Sequence, residues 1–122
     1  MPINDKKPSI EGESLSEDKI STLLSAKRRR ELLRLLKESG GESTMGDITM
    51  EIAASEHDAD GNAGKRKAVY VSLHQTHVPR LVEAGVLESN EVKKTIRLTG
   101  PWQQLHAYLE FDPAIKKQGL LS

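Results

Sequence analysis

The sequence has 122 residues, 36% of them hydrophobic, 3% aromatic and 30% charged, and its 18 basic and 18 acidic side chains cancel. That is room for one small domain with a core of Leu, Ile, Val and Ala, and zero net charge argues against a strong non-specific nucleic-acid binder. Without cysteine, a long apolar run or a signal-peptide pattern, neither a disulfide framework, a thiolate zinc site nor a membrane span is expected, and the protein reads as cytoplasmic.

Residues 1–14, MPINDKKPSIEGES, mix Pro, Gly, Ser and charge without periodicity and read as a disordered lead to a domain over 15–110. Ser16 is placed to cap a short helix over 16–24, with Glu17 and Asp18 in its first turn and Leu15 stapled to Ile20. Ser25 then reads as the N-cap of a second helix, opening KRRRELLRLLKESGG. Leu32, Leu33, Leu35 and Leu36 form its broad apolar face, and Gly40–Gly41 stop it. Lys27, Arg28, Arg29 and Arg30 crowd the positive end of that helix's dipole, where cations are mildly unfavourable. They read either as a solvated cationic face or as contacts to phosphate or carboxylate.

Residues 43–45 suit a short strand, and Asp47 to Ala54 a helix with Met45, Ile48 and Ile52 inward. The loop EHDADGNAG is polar and carries two glycines, so it is not core. Around it the charge separates. Residues 42–60 hold six acids and no cation, whereas 61–81 hold Lys65, Arg66, Lys67 and Arg80 and no acid.

Residues 63–84 read as one long helix closed by Gly85. At 100° per residue, Val69, Leu73, Thr76, His77, Leu81 and Ala84 share one side, and Ala68, Val71, Gln75, Val78 and Val82 another. A helix apolar on two sides is expected to be buried on two sides. Pro79 has no amide proton and its ring opposes the Gln75 carbonyl, a cost of about 3 kcal/mol unless relieved. A bend or break is therefore expected around 75–79.

VLESNEVKKTIRLT reads as a β-hairpin, with Ile96 and Leu98 on one face and Thr95 and Arg97 pointing away. Its turn, NEVK, lacks an Asn-Gly signal, which leaves the register open. Thr99-Gly100-Pro101 opens a last helix in which Trp102, Leu105 and Leu109 share a face. Residues 111–122 read as a loose tail, and no internal repeat is evident. Helix, helix, short strand, helix, helix, hairpin, helix is the order of a mostly helical α+β fold, the winged helix-turn-helix: a tri-helical core, a two-stranded wing and a C-terminal helix.

YVSLHQTHVPRLVEAGVL, together with the upstream LLSAKRRRELLRLL, resembles a winged-helix family of uncharacterised function common in halophilic archaea. More distantly, HVPRLVEAGVL is similar to the segment that closes the recognition helix of ArsR- and MarR-like repressors. The resemblance covers about residues 15–100 and implies an archaeal DNA-binding regulator.

The residues themselves support the same expectation, a transcriptional regulator that binds double-stranded DNA. Lys65, Arg66, Lys67, Lys93, Lys94 and Arg97 are the phosphate contacts, with Arg28 to Arg30 as peripheral help. Tyr70, His74 and Gln75 are the base-edge candidates, and Gln75 has a second role open to it, satisfying backbone groups freed by Pro79. The alternative is a winged helix used for protein–protein association. Either way a homodimer through Trp102, Leu105 and Leu109 is expected. His74 and His77 have the spacing of two ligands on one helix face, but no further ligand accompanies them, so no metal and no cofactor are expected. No nucleophile elbow, phosphate loop or His-Glu metal motif suggests an enzyme.

Overall fold

The computed structural model describes residues 14–56 and 63–110. The expected lead before Ser14, most of the polar loop after Glu56 and the expected tail lie outside the described residues. Helix α1 (Glu17–Leu23) starts as its sequence requires: the Ser16 hydroxyl accepts the Lys19 N–H at 3.1 Å, and two acids meet the positive end of the dipole. Helix α2 (Lys27–Glu38) starts differently from the expectation. Ser25 Oγ donates back to the Thr22 carbonyl at 2.8 Å and so finishes α1, while the extended Ala26 precedes α2. Ser25 can satisfy either helix, and the one already formed at its side takes it. Leu32, Leu33 and Leu36 are buried, and α2 closes through Gly40 and Gly41, both at positive φ, with Gly41 N–H returning to Leu36 O.

Strand β1 (Glu42–Thr44) runs straight into α3 (Met45–Glu56), and Thr44 Oγ1 caps the junction by accepting the Asp47 N–H at 3.0 Å. Met45, Ile48, Ile52 and Ala53 face the core. The second half of the chain opens with α4 (Ala63–Ser72), which continues through a π-helical turn (Leu73–His77) into α5 (Val78–Glu83).

Of the bend or break expected around 75–79, the break does not occur, and the irregularity there is the π turn. The helix widens by one residue instead: Val78 N–H bonds Leu73 O, five residues back, and Pro79 falls in the first turn of α5, where a missing N–H is harmless. The widening also rephases the helix. Its buried row runs Val69, Leu73, Val78, Leu81, so Val78 joins the core and His77 is turned to the core's edge. The other side is not buried: Ala68 and Gln75 are exposed, and Val71 and Val82 remain 38% and 39% exposed. A strict 100° rotation misassigns Val78 because it does not contain the extra residue.

Strands β2 (Leu87–Asn90) and β3 (Thr95–Leu98) pair antiparallel with Leu87 opposite Leu98 and Asn90 opposite Thr95. The hairpin turn is therefore Glu91–Lys94, one residue later than NEVK, with Lys94 in the left-handed region at φ 59°. Strand β1 pairs with the other edge of β3, giving a three-stranded antiparallel sheet in the order β1-β3-β2. Ile96 and Leu98 point into the core and Arg97 away from it, as strand alternation requires.

Gly100, at φ 57°, passes so close to Gly85 that a Cβ there would collide with the Gly85 carbonyl. This approach turns the chain from the sheet into α6 (Trp102–Glu110). The Gln104 side chain both accepts from Leu15 N–H (2.8 Å) and donates to Leu15 O (3.4 Å), tying α6 to the entry of α1. Leu105 and Leu109 are buried in the same core as α2 and β3, and Trp102 packs half-buried against it. The stripe read as a dimer face is thus used within the chain. Helical periodicity shows that an apolar face exists but not whether its partner is the same chain or a second one.

Candidate nucleic-acid interface

The first half of the long helix presents most of the expected contact residues. Arg66 and Lys67 are exposed, Lys65 is half-buried, and Gln75 is exposed with no hydrogen-bond partner among the described residues. The role of satisfying backbone groups near Pro79 therefore falls away for the Gln75 amide, because the π turn removes the need. Tyr70 and His74, one turn apart, stack nearly parallel with ring centroids at 5.8 Å and planes at 8°. His74 Nε2 lies 3.5 Å from Glu91 Oε1 in the hairpin turn. Helix and hairpin are thereby joined through Tyr70, His74 and Glu91. Glu91 was not among the expected residues, since an open turn register gives no indication of what the turn faces.

The hairpin cations divide. Lys93 and Lys94 are exposed on the turn beside Val92, which is 92% exposed at the tip. Arg97 lies on the outer sheet face, ion-paired with Glu88 of β2 and opposite Glu42 of β1 in register. Lys93 lines the same shallow depression as those three side chains. The fold brings Tyr70, His74 and the hairpin turn together and leaves Arg97 apart on a face of mixed charge.

The KRRR run meets the carboxylate expectation at Arg28 and departs from both expectations at Arg29 and Arg30. Arg28 forms a fork with Glu56, both bonds 2.7 Å, which raises the Arg28 pKa further. Arg29 is only 6% exposed. It donates to Leu23 O (2.7 Å), Thr22 O (3.1 Å) and His77 Nδ1 (3.0 Å), and Arg30 donates to Leu24 O (2.7 Å). These guanidinium groups cap the open carbonyls of α1, at the negative end of its dipole, which offsets their unfavourable place at the start of α2. Burial, then repulsion from Arg80, lowers the Arg29 pKa without discharging it. The unfavourable dipole position was the one sequence signal that these residues had partners elsewhere.

His77 follows from the same cluster. Because a guanidinium only donates, Nδ1 accepts and His77 is the neutral tautomer protonated at Nε2. Burial lowers its pKa, and the positive charges of Arg29, Arg28 and Arg80 lower it further, against a smaller opposing effect of Glu56. The two histidines thus diverge, His74 to the hairpin and His77 to α2. Among the described residues no group of three His, Asp or Glu side chains is placed to hold a metal ion, and no helix is long and apolar enough to cross a membrane.

No curated protein and no solved structure matches this sequence. A family match begins within α1, takes in α2, the sheet and the whole long helix, and ends in β3. On that match, over residues 21–97, the chain belongs to the family described as Domain of unknown function (DUF7344).

Proposed function

We propose that the domain is a winged helix-turn-helix that binds double-stranded DNA and regulates transcription. One observation carries the reading. The helix following α3 leaves one face of its first half exposed, that half holds Lys65, Arg66 and Lys67 from the acid-free block, and His74 ties the helix to a hairpin in a sheet of order β1-β3-β2. Such a helix enters the major groove while the hairpin reaches the flanking backbone. Lys65, Arg66, Lys67 and Lys94 meet phosphates, and Tyr70, His74 and Gln75 meet base edges. The likeness of HVPRLVEAGVL to the end of repressor recognition helices points the same way. Arg97 and Arg28 to Arg30 have no part in this proposal, because their charge is used within the fold.

A second reading, a winged helix that binds protein, is favoured by α3. Its exposed face carries Asp47 and Glu51 beside Met50, 61% exposed, and an acidic face repels phosphate. Selection of duplexes from a random pool separates the two. The wild type is expected to enrich a sequence motif. Its log-affinity is expected to fall with log salt, and the Lys65/Arg66/Lys67→Ala triple variant to lose about 2–3 units of that slope. Absence of enrichment together with a flat salt response removes the DNA reading and advances the second.

A further inference from the structure

The outward face of the long helix is self-complementary. Counting in fours from Lys67 gives Lys67, Val71, Gln75, Pro79 and Glu83, all exposed. In an uninterrupted α-helix this row drifts about 40° per step, and its ends would point to different sides. The π turn between Leu73 and His77 absorbs an extra residue and takes back most of that drift. The buried row Val69, Leu73, Val78, Leu81 on the opposite side fixes the phase. The straightened row has a cation at one end and an acid at the other, two apolar residues, and an amide at the midpoint. Neither Lys67 nor Glu83 has an ion-pair partner among the described residues.

We propose that a second copy of this chain docks antiparallel on this face, with the two-fold axis at Gln75. That arrangement sets Lys67 against Glu83 twice, Val71 against Pro79 twice, Ala68 against Val82 twice, and the two Gln75 amides against each other. A parallel pairing sets Lys67 against Lys67 and Glu83 against Glu83, which repulsion disfavours. An open groove of about 600 Å³ lined by Gln75, Thr76, Pro79, Arg80, Val82 and Glu83 receives the partner's first half. One helix pair buries less than the ~1,200 Å² of a standard interface, so the association is weak and reversible. Pairing covers Lys67 and Gln75 and therefore competes with DNA for the same face. It rests on its own residues and stands whether or not DNA is bound.

The absence of native cysteine permits a direct test. Helices packed about 8–10 Å apart bring residues on the axis within disulfide reach. Gln75→Cys is expected to oxidise to a disulfide dimer at tens of micromolar, while Val92→Cys, at the hairpin tip, stays monomeric. In sedimentation, the wild type is expected to dimerise with rising concentration, Lys67→Glu and Glu83→Lys each to weaken association roughly tenfold, and the double variant to recover it. All four positions are exposed, and circular dichroism verifies the fold. A wild type that stays monomeric to millimolar concentration overturns the proposal, as does a double variant no better than the singles, or equal oxidation at Val92. Failure to bind DNA leaves the pairing intact and counts only against the regulator reading.

Discussion

The runs KRRR at 27–30 and KRK at 65–67 look interchangeable in the sequence and are placed differently in the fold. The first lies beside the end of α1, where Arg29 and Arg30 turn inward to donate to the Leu23 and Leu24 carbonyls. The second opens a helix with its outward face in solvent, where Arg66 and Lys67 stay exposed. Whether a cationic run turns inward depends on the helix end that the fold sets beside it, not on the run itself.

The contrast breaks most visibly at Arg29. Arg29→Met leaves the Leu23 carbonyl and His77 Nδ1 without their donor and takes one of several donors from the Thr22 carbonyl, and is expected to cost about 3 kcal/mol in urea unfolding. Lys67→Met at the exposed run is expected to stay within about 0.5 kcal/mol. Equal losses at the two sites would show that the two runs do not differ in this way. Arg28→Ala comes next, with an expected loss of about 1 kcal/mol for a partly exposed fork to Glu56.

Acidity sharpens the same comparison. In the unfolded chain His77 titrates near 6.5, and in the fold burial and the neighbouring arginines hold it lower. Between those two values the unfolded chain carries a proton that the folded chain does not. Stability from this group is therefore complete above pH 6.5 and falls as pH drops through the folded value. The urea midpoint of the wild type is expected to fall more between pH 7.5 and 5.5 than that of His77→Asn. Matching acid limbs would remove His77 from the account. The smallest effect belongs to the pair joining helix and hairpin: with both side chains largely exposed, Glu91→Gln is expected to change stability by less than about 0.5 kcal/mol.

Much of this architecture was legible in one dimension because it is governed by local rules. Ser16 caps α1, Gly40 and Gly41 end α2, Ile96 and Leu98 alternate with Arg97, and Trp102, Leu105 and Leu109 mark one side of α6. Each follows from residue spacing and backbone preference over a turn or two. The candidate site was legible in part. Its helix residues belong to one acid-free block, but their hairpin partner Glu91 depends on a turn register that the sequence left open.

What lay beyond the sequence is where a residue had more than one acceptable partner. Ser25 could cap either of two helices, Arg97 could face a ligand or Glu88, and Leu105 could face a second chain or its own core. Pro79 could break a helix or sit harmlessly after a π turn. Local chemistry leaves these alternatives close in energy, and packing over the whole chain separates them. Burying Val78 beside Leu73 and Leu81 selects the π turn. That choice sends His77 to Arg29 and leaves Lys67, Val71, Gln75, Pro79 and Glu83 facing outward.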